Sequence, residues 1–164
     1  NILKQTNSPQ LIEAVLVSKP HKILRLECAR NFFTPTQELI KLAFDNDNEV
    51  RESAMCNPNI PREIVEEYYR QHMISNHPNS QSDELSELIF SKWWFIRANA
   101  AKHFNLSLDD LEKFLCDSDF NVRASAAKNP NISIKALEKL AKDKSARVRA
   151  VVAQNLKTPI QCLE

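Results

Sequence analysis

The sequence predicts an all-α fold in which pairs of short helices stack into an α-solenoid. Three observations support this: the 164 residues include no glycine, a hydrophobic-Arg helix motif recurs, and its usual spacing is 26 residues. Average usage would give about eleven glycines. Their absence disfavours type I′ hairpins and excludes glycine-dependent phosphate loops and nucleophile elbows. The chain must turn with Pro, Asn, Ser and Asp, as helices joined by short polar turns do.

The first helix of each repeat contains the hydrophobic-Arg pair. Successive arginines are 26, 46, 26 and 26 residues apart, at Arg25, Arg51, Arg97, Arg123 and Arg149. Asp47, Asp119 and Ser145 each stand three residues before the valine of the pair and are predicted N-caps. Alanines in the middle of this helix, such as Ala100 and Ala126, would let neighbouring helices approach closely.

A turn and a second helix follow in each repeat. The turn reads Asn57-Pro58-Asn59 in one copy, and the helix after it has apolar residues three apart, as at Leu137 and Leu140. Thr34-Pro35 predicts an N-cap followed by proline at the first helical position. One helix pair cannot bury its apolar face alone, so stacking of repeats must supply the core.

The 46-residue interval predicts a shortened repeat near residues 58–77, which has lost its own hydrophobic-Arg helix. Residues 62–73 are predicted to form one helix, followed by a turn at Asn76-His77-Pro78. The total is six to seven repeats, including a frayed one at the N-terminus. We expect residues 1–164 to form a single domain, and to be part of a longer chain because the sequence begins without methionine.

Global composition indicates no special environment. The net charge is +1, no apolar run reaches the roughly 18 residues of a membrane span, and the four cysteines are scattered without a C-x-x-C pair. Scattered cysteines are typical of reduced thiols, so we expect a cytoplasmic location. No cofactor, metal or small-molecule substrate is predicted.

Residues 122–143, VRASAAKNPNISIKALEKLAKD, resemble the leucine-rich repeat variant family, and the Asp-to-Val-Arg spacing is also similar to HEAT repeats. The resemblance covers roughly residues 24–164 and implies a right-handed superhelix that serves as a protein-interaction scaffold. Two features depart from the family. The 26-residue unit is slightly longer than the usual variant repeat, and the N-terminal iron–sulfur cysteine cluster of some members has no counterpart.

The arginine column has two interpretations. It could line a phosphate-binding track, or, as the resemblance to HEAT-type repeats implies, it could form a structural ladder with aspartates. The residues of this predicted ladder are Asp45, Arg51, Arg97, Asp117, Arg123, Asp143 and Arg149. Three arginines have an aspartate six residues before them, whereas Arg25 and Arg97 have Lys19 and Ser91 there. Because Arg favours bidentate carboxylate geometry, we favour the structural ladder.

An aromatic cluster follows the shortened repeat and is the candidate partner-binding site. Its residues are Lys92, Trp93, Trp94, Phe95 and Phe120. Most other repeats have polar or small residues at these positions. One interpretation is that the two tryptophans fill a gap left by the shortened repeat. The other is an exposed aromatic hot spot, and one ring could fill the gap while another faces outward.

No set of residues is arranged for catalysis. His77 and His103 replace the turn asparagine of other repeats, and no histidine spacing indicates a metal. The double tryptophan alone would support a base-excising glycosylase, but no carboxylate is positioned beside it. The sequence therefore predicts a non-enzymatic scaffold whose partner is another protein or a fused domain.

Nucleic-acid binding is the alternative function. Residues 128–164 contain eight Lys or Arg against three Asp or Glu, and some HEAT-like solenoids bind DNA through a basic face. Exposed second-helix positions mix both signs of charge, which argues against it. Binding through several phosphates would weaken steeply with salt.

Overall fold

The computed structural model describes residues 7–18 and 20–162, and every regular element within them is helical. These ranges contain eleven α-helices, two short 3₁₀ helices and no β-strand. The chain divides into two compact units, Asn1–Tyr68 and Tyr69–Glu164, with the division falling inside one helix. A single domain over 1–164 remains a prediction.

The first unit contains the helices α1 to α4 and the beginning of α5. Their bounds are α1 (Pro9–Val17), α2 (Lys22–Arg30), α3 (Thr36–Leu42), α4 (Asn48–Met55) and α5 (Arg62–Asn76). The first helices of two successive repeats, α2 and α4, pack against each other, and α3 packs against α4. Leu39, Val50 and Ala54 are fully buried between them.

The second unit contains the rest of α5 and the remaining helices. They are α6 (Ser82–Glu87) with a 3₁₀ turn at Leu88–Phe90, α7 (Trp94–Ala101), α8 (Leu108–Phe114), α9 (Phe120–Ala126), α10 (Ile134–Leu140), α11 (Ala146–Gln154) and a 3₁₀ turn at Ile160–Cys162. The first helices α7, α9 and α11 lie side by side, with α9 in contact with both others. Ala100, Ala101, Ala126 and Ala127 are fully buried, and these small side chains let the helices pack closely, as predicted.

The shortened repeat is a continuous helix. Residues 62–76 form the single α5, with no separate hydrophobic-Arg helix before α6. His77 closes the turn after α5, since its Nδ1 accepts from the backbone N–H of Asn79 at 3.2 Å. The predicted helix over 62–73 is confirmed and extends to Asn76.

Asparagine side chains seal the turns between repeats. Asn129 donates through Nδ2 to the carbonyls of Ala101 and His103, at 2.8 and 2.9 Å, and accepts the backbone N–H of Asn131 at 2.8 Å. It thereby satisfies carbonyls at the end of α7 that the helix itself leaves without a donor. Asn57 makes the same bonds to Ala29 and Asn31 in the first unit.

The C-cap residues of these helices have an ordinary backbone conformation that does not need glycine. The C-cap residues given for ten α-helices have φ between −59° and −88°. Glycine is favoured at helix ends when that residue takes a positive φ. None of these ten C-cap residues takes a positive φ, so glycine is not required at that position.

The predicted N-cap at Thr34 is wrong, and Ser145 stands at the N-cap position of α11 without a side-chain capping bond. Helix α3 begins at Thr36 with Pro35 at its N-cap position. Thr34 instead donates its hydroxyl back to the carbonyl of Cys28 at 2.5 Å, near the end of the preceding helix. Thr158 does the same to Val152 at 2.6 Å. Threonine at this position therefore closes the turn between the helices.

Candidate interaction surface

Among the described residues, three partly buried ion pairs connect successive repeats, and each joins an arginine to the aspartate 20 residues later. We call Arg25–Asp45, Arg97–Asp117 and Arg123–Asp143 the ladder pairs. In the last, Nε and Nη2 of the guanidinium donate to the two carboxylate oxygens at 2.6 and 3.0 Å. This bidentate geometry is the strongest form of an Arg–carboxylate contact.

The six-residue relation seen in the sequence has a different role. Nη1 of Arg123 donates to the backbone carbonyl of Asp117 at 2.7 Å, and Arg149 does the same to Asp143 at 2.8 Å. The aspartate six residues earlier thus supplies its carbonyl and not its carboxylate. Arg97 uses the carbonyl of Ser91 at 2.7 Å in the same way.

Two expectations from the sequence are wrong: that Arg25 and Arg97 lack an aspartate partner, and that Arg51 pairs with the carboxylate of Asp45. Arg25 and Arg97 are not exceptions, because each binds an aspartate 20 residues ahead and needs none six residues behind. Arg51 donates to the carbonyl of Asp45 at 2.7 Å and to the side chain of Asn48 at 2.9 Å. The position 20 residues after Arg51 holds Gln71.

Hydrogen bonding between Arg123 and Asp143 shifts the pKa values of both groups so that their charged forms are favoured. The bond from Arg123 holds the pKa of Asp143 below its ordinary value, although burial opposes this. The same bond raises the pKa of Arg123. With the arginines held in this way, Arg97 and Arg123 are engaged inside the repeat stack and are not presented to a ligand.

The aromatic cluster divides into buried and accessible rings. Trp93, at the N-cap position of α7, is only 3% exposed, and Phe95 is also buried. Trp94 is half-buried and meets Phe95 edge to face, with ring centroids 5.9 Å apart. Lys92 is exposed. The structure therefore brings these rings together at the start of α7 but leaves only Trp94 partly accessible.

Phe120 occupies the same repeat position on α9 as Trp94 on α7. It is 38% exposed, and the guanidinium carbon of Arg147 lies 5.8 Å from its ring centroid. This distance is within the range of a cation–π contact. Arg147 belongs to α11, so the contact joins two successive first helices.

An open groove crosses α7, α9 and α11 and has a volume of about 300 Å³. We call it the first-helix groove. Trp94 and Phe95 line it on α7, Asn121 and Ser125 on α9, and Arg147 on α11. Ala98, Asn99, Ala124, Lys128 and Val151 complete the lining. The groove thus combines apolar surface with amide, hydroxyl and cationic groups, and includes neither Asp nor Glu.

One buried carboxylate was not singled out by the sequence. Burial disfavours ionisation of Asp110, but hydrogen bonds from Lys113, Ser86 and Ser107 outweigh it and lower the pKa to about 2. The bond from Ser86, at 2.5 Å, links α8 to α6. Ser107 is the N-cap of α8 and accepts the backbone N–H of Asp110 at 3.1 Å, a local contact that the sequence spacing is typical of, whereas nothing in the sequence indicates the bond to Ser86.

Among the described residues, the cysteine and histidine side chains are not grouped into a metal site. All four cysteines are free, and burial raises the pKa of the Cys28 thiol to about 11. His103 closes a turn by accepting the backbone N–H of Asn105 at 3.1 Å. Over residues 7–18 and 20–162, no group of three or more His, Cys, Asp or Glu is placed to hold a metal. In the same ranges no helix is long and apolar enough to cross a membrane.

Comparison with known proteins finds a similar solved structure but no matching family. No protein-family model matches the sequence, and no curated protein does either. The chain is similar to a solved structure described as a leucine-rich repeat variant with a novel repetitive protein structural motif. The identity is 23%, covering 89% of this chain and 71% of that one, with a TM-score of 0.30. The helical repeat fold therefore rests on the periodic helices and bonds described above.

Proposed function

We propose that this protein is a non-enzymatic interaction scaffold built from leucine-rich-variant or HEAT-like repeats. Its partner would be another protein or a domain fused to the same chain, bound in the first-helix groove. The observation that carries the proposal is Trp94, a half-buried aromatic ring that lines an open groove beside cationic and amide groups. Such partly buried aromatic and arginine residues dominate binding energy at protein interfaces.

The rigid support beneath the groove favours this function. The ladder pairs Arg97–Asp117 and Arg123–Asp143 and the side chain of Asn129 hold successive repeats in register. A pre-organised surface loses less conformational entropy on binding, so more of the contact energy appears as affinity. The lining includes the hydroxyl of Ser125, but it contains no Asp, Glu or His that could act as its general base, which favours binding over catalysis.

Nucleic-acid binding is the second candidate, because the first helices of the second unit are basic. It is weaker because Arg97 and Arg123 are bound to aspartates and cannot contact phosphates. A fluorescent DNA duplex titrated at low and moderate salt tests it. Steep loss of binding with salt would favour nucleic acid, and no binding at low salt would remove it.

A site-specific photo-crosslinker tests the scaffold proposal. We would place a benzoylphenylalanine at Ser125, inside the groove, and at the exposed Lys135 of α10 as the control. We expect protein adducts from position 125 that Trp94→Ala strongly reduces. Equal adducts from both positions, or adducts that ignore Trp94→Ala, would contradict the proposal.

We also propose a reducing compartment, the cytoplasm, as its location. The free thiols of Cys56 and Cys116 are exposed and would be vulnerable to oxidation elsewhere. Thiol labelling of the protein in intact cells tests this, and oxidised cysteines in untreated cells would contradict it.

A further inference from the structure

We propose that the ligand of the first-helix groove is an acidic, extended polypeptide segment. An apolar side chain of that segment would pack on Trp94, and its carboxylates would pair with Lys128 and Arg147. This inference rests on the proposed scaffold function and specifies the chemistry of the partner.

The first argument is the charge of the helices that form the groove. Helices α7, α9 and α11 contain no Asp or Glu in their entire length. Lys128 and Arg147 lie in the groove lining, and Lys102 is exposed just after α7. The second helices of the same repeats do contain carboxylates, at Asp109, Asp110, Glu112 and Glu138. The groove is therefore complementary to a negatively charged ligand.

The second argument is that nearby carboxylates do not neutralise the groove cations. Asp117 and Asp143 are bound by the ladder arginines, and Asp119 caps α9 by accepting the backbone N–H of Asn121 at 2.7 Å. Within the described ranges, Lys128 and Arg147 form no ion pair. Their charges are thus available to a ligand, and the guanidinium of Arg147 is already oriented by the Phe120 ring.

The third argument distinguishes a polypeptide from a nucleic acid. The side chains of Asn121 and Ser125 line the groove and make no hydrogen bond to other described residues. An amide and a hydroxyl each offer both a donor and an acceptor. An extended peptide backbone can use both, because it presents N–H and C=O groups alternately, whereas a phosphate only accepts. Trp94 and Phe95 add an apolar surface for alternate side chains of the peptide.

The probes are two labelled short peptides and one oligonucleotide. The first peptide alternates Glu with Leu, the second alternates Lys with Leu, and the third probe is single-stranded oligothymidine of similar length. Fluorescence anisotropy of each probe is measured at physiological salt with the full chain. We expect binding of the Glu–Leu peptide only.

Charge reversals at matched positions locate the site. Lys128→Glu changes a groove residue, and Lys135→Glu makes the same change in net charge at an exposed position on α10. We expect Lys128→Glu to lower the affinity for the Glu–Leu peptide about tenfold. Lys135→Glu should lower that affinity less than about twofold. Far-UV circular dichroism of both variants verifies that they fold. Equal loss in the two variants would overturn the inference.

The remaining outcomes separate this inference from the scaffold proposal. Preference for the Lys–Leu peptide or for oligothymidine would overturn the acidic-segment inference, and failure of all three probes to bind would do the same. If cross-linking of a protein at position 125 still depends on Trp94, the scaffold proposal is retained and only the acidic-segment inference is wrong. If that cross-linking also fails, both proposals are wrong.

Discussion

Replacing Arg123 with methionine removes the guanidinium of the most buried ladder pair while keeping an apolar side chain of similar length. The side chains of Arg123 and Asp143 are only 6% and 8% exposed. The variant would leave the carboxylate of Asp143 buried without its cation, and the carbonyl of Asp117 without its donor. The fold would have to compensate for both.

The expected loss of stability is large. Removing one partner of a buried ion pair costs about 3–5 kcal/mol, because the other charge remains buried. For a chain of this size that corresponds to a fall in Tm of roughly 6–20 °C. Arg149→Met is the matched control, since Arg149 is exposed and donates only to the carbonyls of Asp143 and Lys144 at 2.8 and 3.3 Å. We expect that control to cost less than about 1 kcal/mol.

Urea unfolding followed by far-UV circular dichroism measures these differences. A double-mutant cycle with Asp143→Asn isolates the pair, and we expect a coupling energy of about 2 kcal/mol or more. The reasoning is refuted if Arg123→Met costs no more than Arg149→Met, or if the cycle is additive within about 0.5 kcal/mol.

Acid provides an independent measurement of the same pair. Because Arg123 lowers the pKa of Asp143 in the folded state, the stabilisation is fully present above the unfolded carboxyl pKa, near 4. It is lost as the pH falls through the lower folded value. Arg123→Met should therefore flatten the fall of unfolding free energy in acid, and an unchanged acid profile would contradict this.

Three further predictions concern single side chains. Trp93→Ala should lower the free energy of unfolding in urea by about 3–5 kcal/mol because Trp93 is buried, whereas Trp94→Ala should lower it much less. Equal losses would contradict the division of the cluster into buried and accessible rings. Asn129→Ala should lower the free energy of unfolding by about 2–3 kcal/mol, because the carbonyls of Ala101 and His103 lose their hydrogen-bond donor. An unchanged stability would contradict this. Asp110, with its pKa lowered to about 2, should contribute about 2 kcal/mol that is lost as the pH falls from about 4 towards 2, and a loss of equal size in Asp110→Asn would contradict it.

Local features of the fold could be predicted from neighbouring residues. The first helices begin after Asp47 and Asp119, whose side chains cap them as their position in the repeat predicts. The long α5 follows from the missing hydrophobic-Arg motif. The N-cap prediction for Thr34 is wrong because a threonine before proline can either cap the next helix or close the preceding turn. Only the position of the Cys28 carbonyl decides between the two.

The candidate site could be predicted only in part. The sequence singled out the aromatic run at Trp93 and Trp94 because it interrupts a polar column of the repeat. It could not assign one ring to the interior and the other to the groove, because helix α7 presents adjacent residues to different surroundings. Arg147 and Lys128 could not be assigned to a site at all, since their proximity to Trp94 depends on the packing of three separate helices.

The all-helical fold, the 26-residue period and the turns without glycine could be inferred from the amino-acid sequence. These depend on side chains a few positions apart, where caps, prolines and apolar spacing act directly on the local backbone. Only the packed structure shows that the arginines of the ladder pairs bind the carboxylate 20 residues ahead, and that the first helices form a groove lined without carboxylates. Those features arise from distances between repeats, and such distances exist only when the helices are packed.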